Sequence, residues 1–226
     1  PGCRRPTSCG TGPVRHRRPD PGTRPARREQ NRAMELLPTY RRTLAAFVDQ
    51  VGQVGYDQWA SPTPCQGWDV RALVDHVVSE LCWSVPLFAG ATVAEVGDRF
   101  SGDLLGANPA TAARDAADRA ARAAGAPGAL ERTVHLSSGP IPGGEYLHQL
   151  LAELLVHGWD LGVSLGVGPE LDPEGVRRCR RWFADRSAVY RSSGLTAPVV
   201  ELPPDASEQD GLIAAFGRDP GWRAED

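Results

Sequence analysis

The chain has 226 residues, of which 41% are hydrophobic and 23% charged. This composition is typical of a soluble globular protein and excludes a chain that is disordered throughout. No segment approaches the ~20 consecutive apolar residues of a membrane-spanning helix, and the N-terminus lacks the apolar segment of a secretory signal. The five cysteines are therefore expected to be reduced thiols. These features favour one domain, or at most two small ones, in the cytoplasm.

Charge is unevenly distributed along the chain. Nine arginines and two acidic residues give residues 1–33 a formal charge of +7, and since the whole chain carries −3, the other 193 residues carry −10. Ten of the first 33 residues are Pro or Gly, so we expect a disordered extension over 1–33 and a folded domain over 34–226. A nucleic-acid-binding arm is one interpretation of the extension. An over-extended translation start before Met34, or a leader with no role in the fold, is favoured, and the acidic domain argues against a nucleic-acid partner.

Apolar periodicity predicts three helices in the first half of the chain. Apolar residues at three- and four-residue spacing predict the first helix over Leu37–Val54. Asp69 is a predicted N-cap for a second helix that runs to about Ala89. The pair Asn108 and Pro109 predicts the start of a third, alanine-rich helix, which ends at Gly125 in an expected left-handed conformation.

The second half is predicted to contain the most apolar helix. A short extended segment over Thr133–Leu136 precedes a turn over 139–144, and the apolar helix follows over Glu145–Leu165. A further helix is predicted from Asp172 to about Tyr190, and a short one begins at the Ser207 capping box and closes at Gly217. Four long helices with little strand signal predict an all-α fold, a four-helix bundle with long connections.

Two residues of the apolar helix have the spacing of metal ligands. Glu153 and His157 are four residues apart, so they lie on one face of the helix about one turn apart. A carboxylate and an imidazole in this arrangement can bind one divalent cation, and metal sites in helical bundles are built from such inward-facing side chains. His76 of the second helix is the best candidate for a third ligand. Spacing alone leaves open that the three are ordinary packed or solvated residues.

Other chemically capable residues are weaker candidates. His148 points to the opposite side of its helix from His157, His135 lies in an irregular segment, and His16 lies in the extension. Asp160 could orient a ligating imidazole or serve as a surface or capping residue. The remaining candidates are predicted to be packed residues first, namely Cys65, Cys82, Cys179, Trp68, Trp83 and Trp159.

Three stretches resemble one known family. They are WASPTPCQGWDVRALVDHVV from Trp59, ELLVHGWDL at 153–161 and AAFGRDP at 214–220. Together they resemble the mycothiol-dependent maleylpyruvate isomerase N-terminal domain family, a branch of the DinB-like metal-binding bundles, over most of the range 34–222. The resemblance implies a divalent metal, usually zinc, bound by His76, Glu153 and His157.

The resemblance also implies a type of chemistry. Mycothiol, a small-molecule thiol, would bind the metal as a thiolate and attack a small electrophile, in an isomerase or a thiol transferase. The 36 residues from Arg191 onward are too few for the separate C-terminal domain of the full-length isomerase, so maleylpyruvate itself is a doubtful substrate. Two alternatives stay open at this stage: a non-catalytic metal-binding bundle with a stress-related or regulatory role, and a structural bundle in which the three ligands are incidental.

Overall fold

The computed structural model describes residues 23–192 and 196–224, and for residues 23–34 it describes the helical backbone only. The elements in chain order are α1 (Thr23–Gly52), a 3₁₀ turn (Gln58–Ala60), α2 (Val70–Phe88), α3 (Val93–Val96), α4 (Pro109–Ala124), β1 (Thr133–Leu136), β2 (Gly139–Pro142), α5 (Gly143–Ser164), α6 (Pro173–Ala184), α7 (Ser187–Ser192) and α8 (Glu208–Ala215). Helices α1, α2, α4 and α5 form a four-helix bundle in which α1 and α2 each pack against both α4 and α5. The predicted all-α bundle is confirmed.

The N-terminal extension is described only in part. Residues 1–22 lie outside the described residues, so the disorder and the domain boundary predicted there stay predictions. Helix α1 begins at Thr23 and not at Leu37, so the backbone of residues 23–33 differs from the prediction. The predicted start relied on apolar periodicity, whereas a helix that has already formed extends through Arg, Ala, Gln and Glu at little cost.

The predicted N-caps are confirmed. The Asp69 carboxylate accepts a hydrogen bond from the backbone N–H of Ala72 at 2.8 Å, and Asn108 caps α4 in the same way. Ser207 begins α8 with a reciprocal capping box. Helix α3 was not predicted, although Thr92 begins it with the same kind of box. These caps satisfy backbone N–H groups that would otherwise lack partners.

Three details differ from the sequence predictions. Gly125 has φ −85° and is not left-handed, because its N–H still donates to the Ala121 and Ala123 carbonyls. Residues 139–142 form a strand that pairs antiparallel with β1, in the register Val134 to Ile141. The helix predicted to end near Tyr190 stops at Ala184, and α7 follows as a separate short helix.

The start of α5 is fixed by backbone contacts to the preceding loop. The N–H groups of Gly143 and Gly144 donate to the carbonyls of Arg132 and Leu130, each at 2.8 Å. A Cβ atom on Gly143 would overlap the carbonyl oxygen of Ala129. Close contact with the loop therefore sets the position of α5 along its own axis.

The C-terminal segment packs against the end of α5. Ile213 of α8 is buried in a small apolar cluster with Trp159 and Val163 of α5. Phe216 stacks on Phe183 of α6 with ring centroids 4.0 Å apart. Within the described part of the chain, no helix combines the length and the apolar character needed to cross a membrane.

Candidate metal centre

Helices α2 and α5 bring the three predicted ligands together. Glu153 Oε2 lies 3.0 Å from His157 Nε2 and 3.5 Å from His76 Nε2. One potential ligand atom from each residue lies within 4.8 Å of those of the other two. His76 thus approaches the Glu153 carboxylate although 77 residues separate the two in the sequence. Metal binding by the three side chains stays a prediction.

The donor set and its spacing fit a divalent metal. Ligands to zinc lie about 2.0–2.2 Å from the ion, so ligand atoms of a tetrahedral site are about 3.4 Å apart. The distances from Glu153 to the two histidines are close to this value. Two imidazoles and one carboxylate form a typical catalytic donor set, which leaves a fourth position for water or another ligand.

Asp160 orients His157. The Asp160 side chain is fully buried, and its Oδ2 accepts a hydrogen bond from His157 Nδ1 at 3.0 Å. Because a carboxylate can only accept, Nδ1 carries the proton and Nε2 faces Glu153. Of the two roles left open for Asp160, the structure supports the orienting one, and burial excludes a surface role.

Hydrogen bonds decide the charge of these groups. Desolvation by the surrounding protein disfavours the charged form of Glu153, but hydrogen bonds from His157 and His76 outweigh it and lower the pKa of Glu153. Burial also disfavours the charged form of His157 and by itself would lower its pKa. The hydrogen bonds to Asp160, Cys65 and Glu153 outweigh this and raise the pKa of His157 well above the ordinary value. These hydrogen bonds therefore favour the carboxylate form of Glu153 and the imidazolium form of His157.

Arg218 reaches the centre from the C-terminal segment. Its Nη2 and Nε donate to the two oxygens of Asp160 at 3.1 and 3.3 Å. Burial opposes the charge of Asp160, but His157 and Arg218 more than offset this and lower its pKa. Gly217, at φ 80°, makes the turn after α8 that directs Arg218 back toward α5. A Cβ at Gly217 would meet Ala197 at 2.6 Å, so a side chain does not fit there.

Cys65 lies beside the same groups, which the sequence did not predict. Its Sγ is 3.2 Å from Asp160 Oδ2, 3.1 Å from Arg218 Nη2 and 3.8 Å from His157 Nδ1. Cys65, His157 and Asp160 thus form a second group with metal-ligand types. The Arg218 guanidinium already contacts two of its three members and supplies the positive charge there. This positive charge disfavours a cation at the second group.

A cavity of about 420 Å³ opens beside the centre. The Glu153 carboxylate faces this cavity, so 44% of its side chain is exposed. The cavity is lined by four aromatic side chains, Tyr146, Trp182, Tyr190 and Phe216, and by charged groups that include Glu80 and Arg218. Burial and the nearby Glu153 charge raise the pKa of Glu80.

The remaining candidates lie elsewhere. The Nδ1–H of His148 donates to the Gly144 carbonyl oxygen, and the His148 ring stacks on that of Trp182, outside both groups. His135 is exposed on β1, and His16 lies outside the described residues. Cys82 and Cys179 are buried, as predicted. Trp159 is a core residue, whereas Trp68 packs beside the centre, with its ring 4.8 Å from that of His76.

Sequence reasoning missed Arg218, Cys65 and Glu80 as neighbours of the centre. The AAFGRDP motif contains Arg218, but in the sequence it indicates only a family resemblance. Glu80 lies four residues after His76, so helical spacing alone places it on the same face of α2. No spacing rule predicts the contact between Arg218 and Asp160, because 58 residues separate them.

Comparison with known proteins supports the assignment to a family. Residues 40–162 match the model of the mycothiol maleylpyruvate isomerase N-terminal domain. This range includes His76, Glu153 and His157 and ends before Arg218. Two uncharacterized proteins of Mycobacterium tuberculosis, from strains CDC 1551 and H37Rv, are each 33% identical to the chain over 187 residues, which is 82% of this chain and 98% of theirs.

Solved structures share the fold. A crystal structure of the mycothiol-dependent maleylpyruvate isomerase matches with a TM-score of 0.60 at 18% identity, over 84% of this chain and 90% of that one. A mutant of the same enzyme matches with a TM-score of 0.55 at 19% identity, over 72% of each chain. At this identity the likeness is evidence of a shared fold alone. On the matched sequence range, the chain belongs to the mycothiol maleylpyruvate isomerase N-terminal domain family.

Proposed function

We propose that the protein is a divalent-metal-dependent enzyme that uses a small-molecule thiol, mycothiol, against a small electrophilic substrate, as a thiol transferase or an isomerase. The observation that carries the proposal is the convergence of His76, Glu153 and His157 beside an open cavity. A structural metal site typically has a fourth protein ligand, whereas three protein donors are typical of a catalytic site, and Glu153 and His157 of this group line the cavity.

A zinc ion held by two neutral imidazoles and one carboxylate supplies a net charge near +1, which favours the thiolate form of a thiol ligand. The protein's own groups hold the metal in place. His76, Glu153 and His157 would bind it, and Asp160 holds His157 with Nε2 directed at the centre.

The cavity favours a small electrophile with an apolar or aromatic body. Its aromatic walls suit a flat carbon skeleton, and about 420 Å³ limits its size. Arg218 is the one arginine among the described residues that line the cavity, and Asp160 already neutralises its charge. These features disfavour a dicarboxylate substrate such as maleylpyruvate.

Glu80 is suited to hold a proton in the cavity. Burial and the charge of Glu153 raise its pKa, so its carboxyl group retains a proton to a higher pH than an ordinary glutamate. A protonated carboxyl group beside a reacting electrophile can donate to the carbanion or alkoxide that forms when a thiolate adds. We therefore assign Glu80 the role of proton donor.

Metal analysis of the purified full-length protein is the first test. We expect near-stoichiometric zinc or another divalent ion, which chelation removes and added metal restores. His157→Ala is expected to lose the metal, and His148→Ala, a histidine of the same helix outside the centre, is expected to keep it. A protein that binds no divalent metal would disprove the proposal.

Activity is the second test. Mycothiol consumption is followed with a panel of small electrophiles, uncharged aromatic and dicarboxylate, with metal-loaded and chelator-treated protein. We expect metal-dependent consumption with the uncharged compounds and a strong decrease in the Glu80→Gln variant. A protein that binds metal stoichiometrically but accelerates none of these reactions supports the alternative, a non-catalytic metal-binding bundle.

A further inference from the structure

We infer that Arg218 is a positioning residue of the metal centre, which acts through Asp160 to hold His157 in its metal-binding orientation. The inference rests on the metal centre of the proposed function but concerns a residue outside the range that matches the family model. It also gives a specific role to the arginine of the AAFGRDP motif at 214–220.

The first step is the state of Asp160. Its side chain is fully buried in α5, and a buried carboxylate is stable only with charge and hydrogen-bond partners. Arg218 contacts both of its oxygens, through Nη2 and Nε. A two-point contact of this kind fixes the plane of the carboxylate as well as its charge. The position of Asp160 Oδ2 is therefore determined by a residue of the C-terminal segment.

The second step leads from Asp160 to the centre. The same Oδ2 atom accepts from His157 Nδ1 at 3.0 Å, so the plane of the carboxylate sets the orientation of the imidazole ring. A histidine that binds a metal through Nε2 is neutral and no longer balances the charge of Asp160. Arg218 then remains as the positive group beside the buried carboxylate. Groups that orient a ligating imidazole typically change metal affinity 10- to 100-fold when they are removed.

The third step is the anchoring of Arg218 itself. Its backbone N–H donates to the Ile213 carbonyl, and its Nη1 donates to the Phe216 carbonyl. Phe216 stacks on Phe183, and Ile213 is buried against Trp159. Its side chain is 17% exposed, so little freedom remains to the guanidinium. The arginine is thus held in place independently of a metal.

Arg186 offers a matched control. It makes two hydrogen bonds with Glu145 at the other end of α5, at 2.6 and 2.9 Å, and contacts neither group of metal-ligand side chains. Replacing either arginine by methionine keeps most of the side-chain volume and removes the guanidinium. A difference between the two variants therefore reports on the centre and not on the loss of an arginine–carboxylate pair in general.

The test is the zinc dissociation constant of the full-length protein, measured by competition with a chromogenic chelator. We expect Arg218→Met to weaken zinc binding about 10- to 100-fold, Arg218→Lys to weaken it less, and Arg186→Met to leave it within about twofold. If Arg218 acts through Asp160, adding Arg218→Met to Asp160→Asn causes no further loss. Parent-like zinc binding by Arg218→Met, or additive losses in the double variant, would overturn the inference.

A measurement on the metal-free protein tests the positioning role of Arg218 independently of metal binding. The His157 Nδ1 proton, bonded to Asp160, is expected to give a downfield, slowly exchanging signal in the proton NMR spectrum of the metal-free protein. We expect Arg218→Met to shift the signal and accelerate its exchange, with partial recovery in Arg218→Lys, which keeps the charge and is expected to fold. If the parent binds no zinc but this pattern holds, the proposed metal function fails and the positioning role stands. An unchanged signal in Arg218→Met would refute the positioning role.

Discussion

Two arginine–carboxylate pairs hold later segments of the chain against α5, one near each end of the helix. Glu145 in the first turn pairs with Arg186, just after α6, and also accepts from Trp182 Nε1. Asp160, near the other end, pairs with Arg218 and accepts from His157. The two pairs are built from the same groups with similar distances, yet a histidine is bonded to the second pair alone.

The surroundings of the two pairs differ as well. Glu145 and Arg186 are 24% and 35% exposed, and the helix dipole stabilises a carboxylate in the first turn. Asp160 is fully buried and has no such support at its end of α5. A partly exposed pair such as Glu145 and Arg186 mainly connects two elements. A buried pair also determines the hydrogen bonds of the groups near it. The comparison teaches that burial, and not the residue types, distinguishes a structural pair from one that organises a site.

The largest expected effect is at His157, the histidine bonded to Asp160 of the buried pair. His157→Ala should reduce bound zinc from near stoichiometric to close to none, because two ligands are too few to hold a divalent ion. The bundle should stay helical, since apolar burial stabilises it. Inductively coupled plasma mass spectrometry measures the metal, and far-ultraviolet circular dichroism measures the fold. Retained zinc would exclude His157 as a ligand, and complete unfolding would indicate a structural metal.

A smaller effect is expected at the pair that lacks a histidine. Glu145→Gln should lower the free energy of unfolding by about 1 kcal/mol, a value reduced for the exposure of the pair. For a chain of this size this corresponds to about 2–4 °C in Tm. Zinc affinity should not change. Calorimetry and a zinc titration on the same preparation test both statements, and a change in zinc affinity above about twofold would contradict the comparison.

A third pair provides a still weaker case. Asp172 caps α6 and pairs with Arg42, which is 54% exposed. Asp172→Asn keeps an N-capping side chain but removes the charge, so we expect a Tm decrease well below that of Glu145→Gln.

The contribution of Asp172 should also depend on pH. Burial opposes its charge, but hydrogen bonds from Arg42 and the Gly175 N–H outweigh this and lower its pKa in the folded protein. The stabilisation is therefore present at neutral pH and is lost as pH falls through that lowered pKa. Denaturant unfolding of the parent and of Asp172→Asn from pH 7 to pH 3 should give curves that converge at the acid end. A difference that grows with acidity would contradict this sign.

No effect is expected from removal of the N-terminal extension. A protein that begins at Met34 should keep the Tm and the zinc content of the full chain, because residues 1–33 contain almost no large apolar side chain. Thermal unfolding of the two proteins side by side checks this. A decrease of several degrees would mean that the extension packs against the domain.

The sequence predicted the parts of the centre that follow helical periodicity. Glu153 and His157 share a face because they are four residues apart, and His76 lies on the neighbouring helix at the matching height. The caps at Asp69 and Asn108 were equally local signals. The pair Glu153 and His157 and the two caps depend on groups within one or two helical turns, whereas His76 was assigned through the family resemblance.

The features that the sequence did not predict depend on tertiary contacts. Arg218 meets Asp160 across 58 residues, and Cys65 meets it across 95. Their positions follow from how α8 and the loop before α2 pack on α5, which no spacing encodes. The break after Ala184 was not predicted either, and Arg186, which follows the break, bonds Glu145 across 41 residues. Local patterns thus predict which residues share a helix face, and packing decides which distant residues join them.

The glycine at the start of α5 has a consequence for the mutational tolerance of the protein. Any side chain at position 143 would collide with the Ala129 carbonyl and push the helix along its axis or away from the loop. Glu153 lies ten residues further along α5, about 15 Å away, and would move with the helix relative to His76. A saturation library read out by metal content should therefore find position 143 as intolerant as a ligand, although it lies far from the metal centre and carries no side chain.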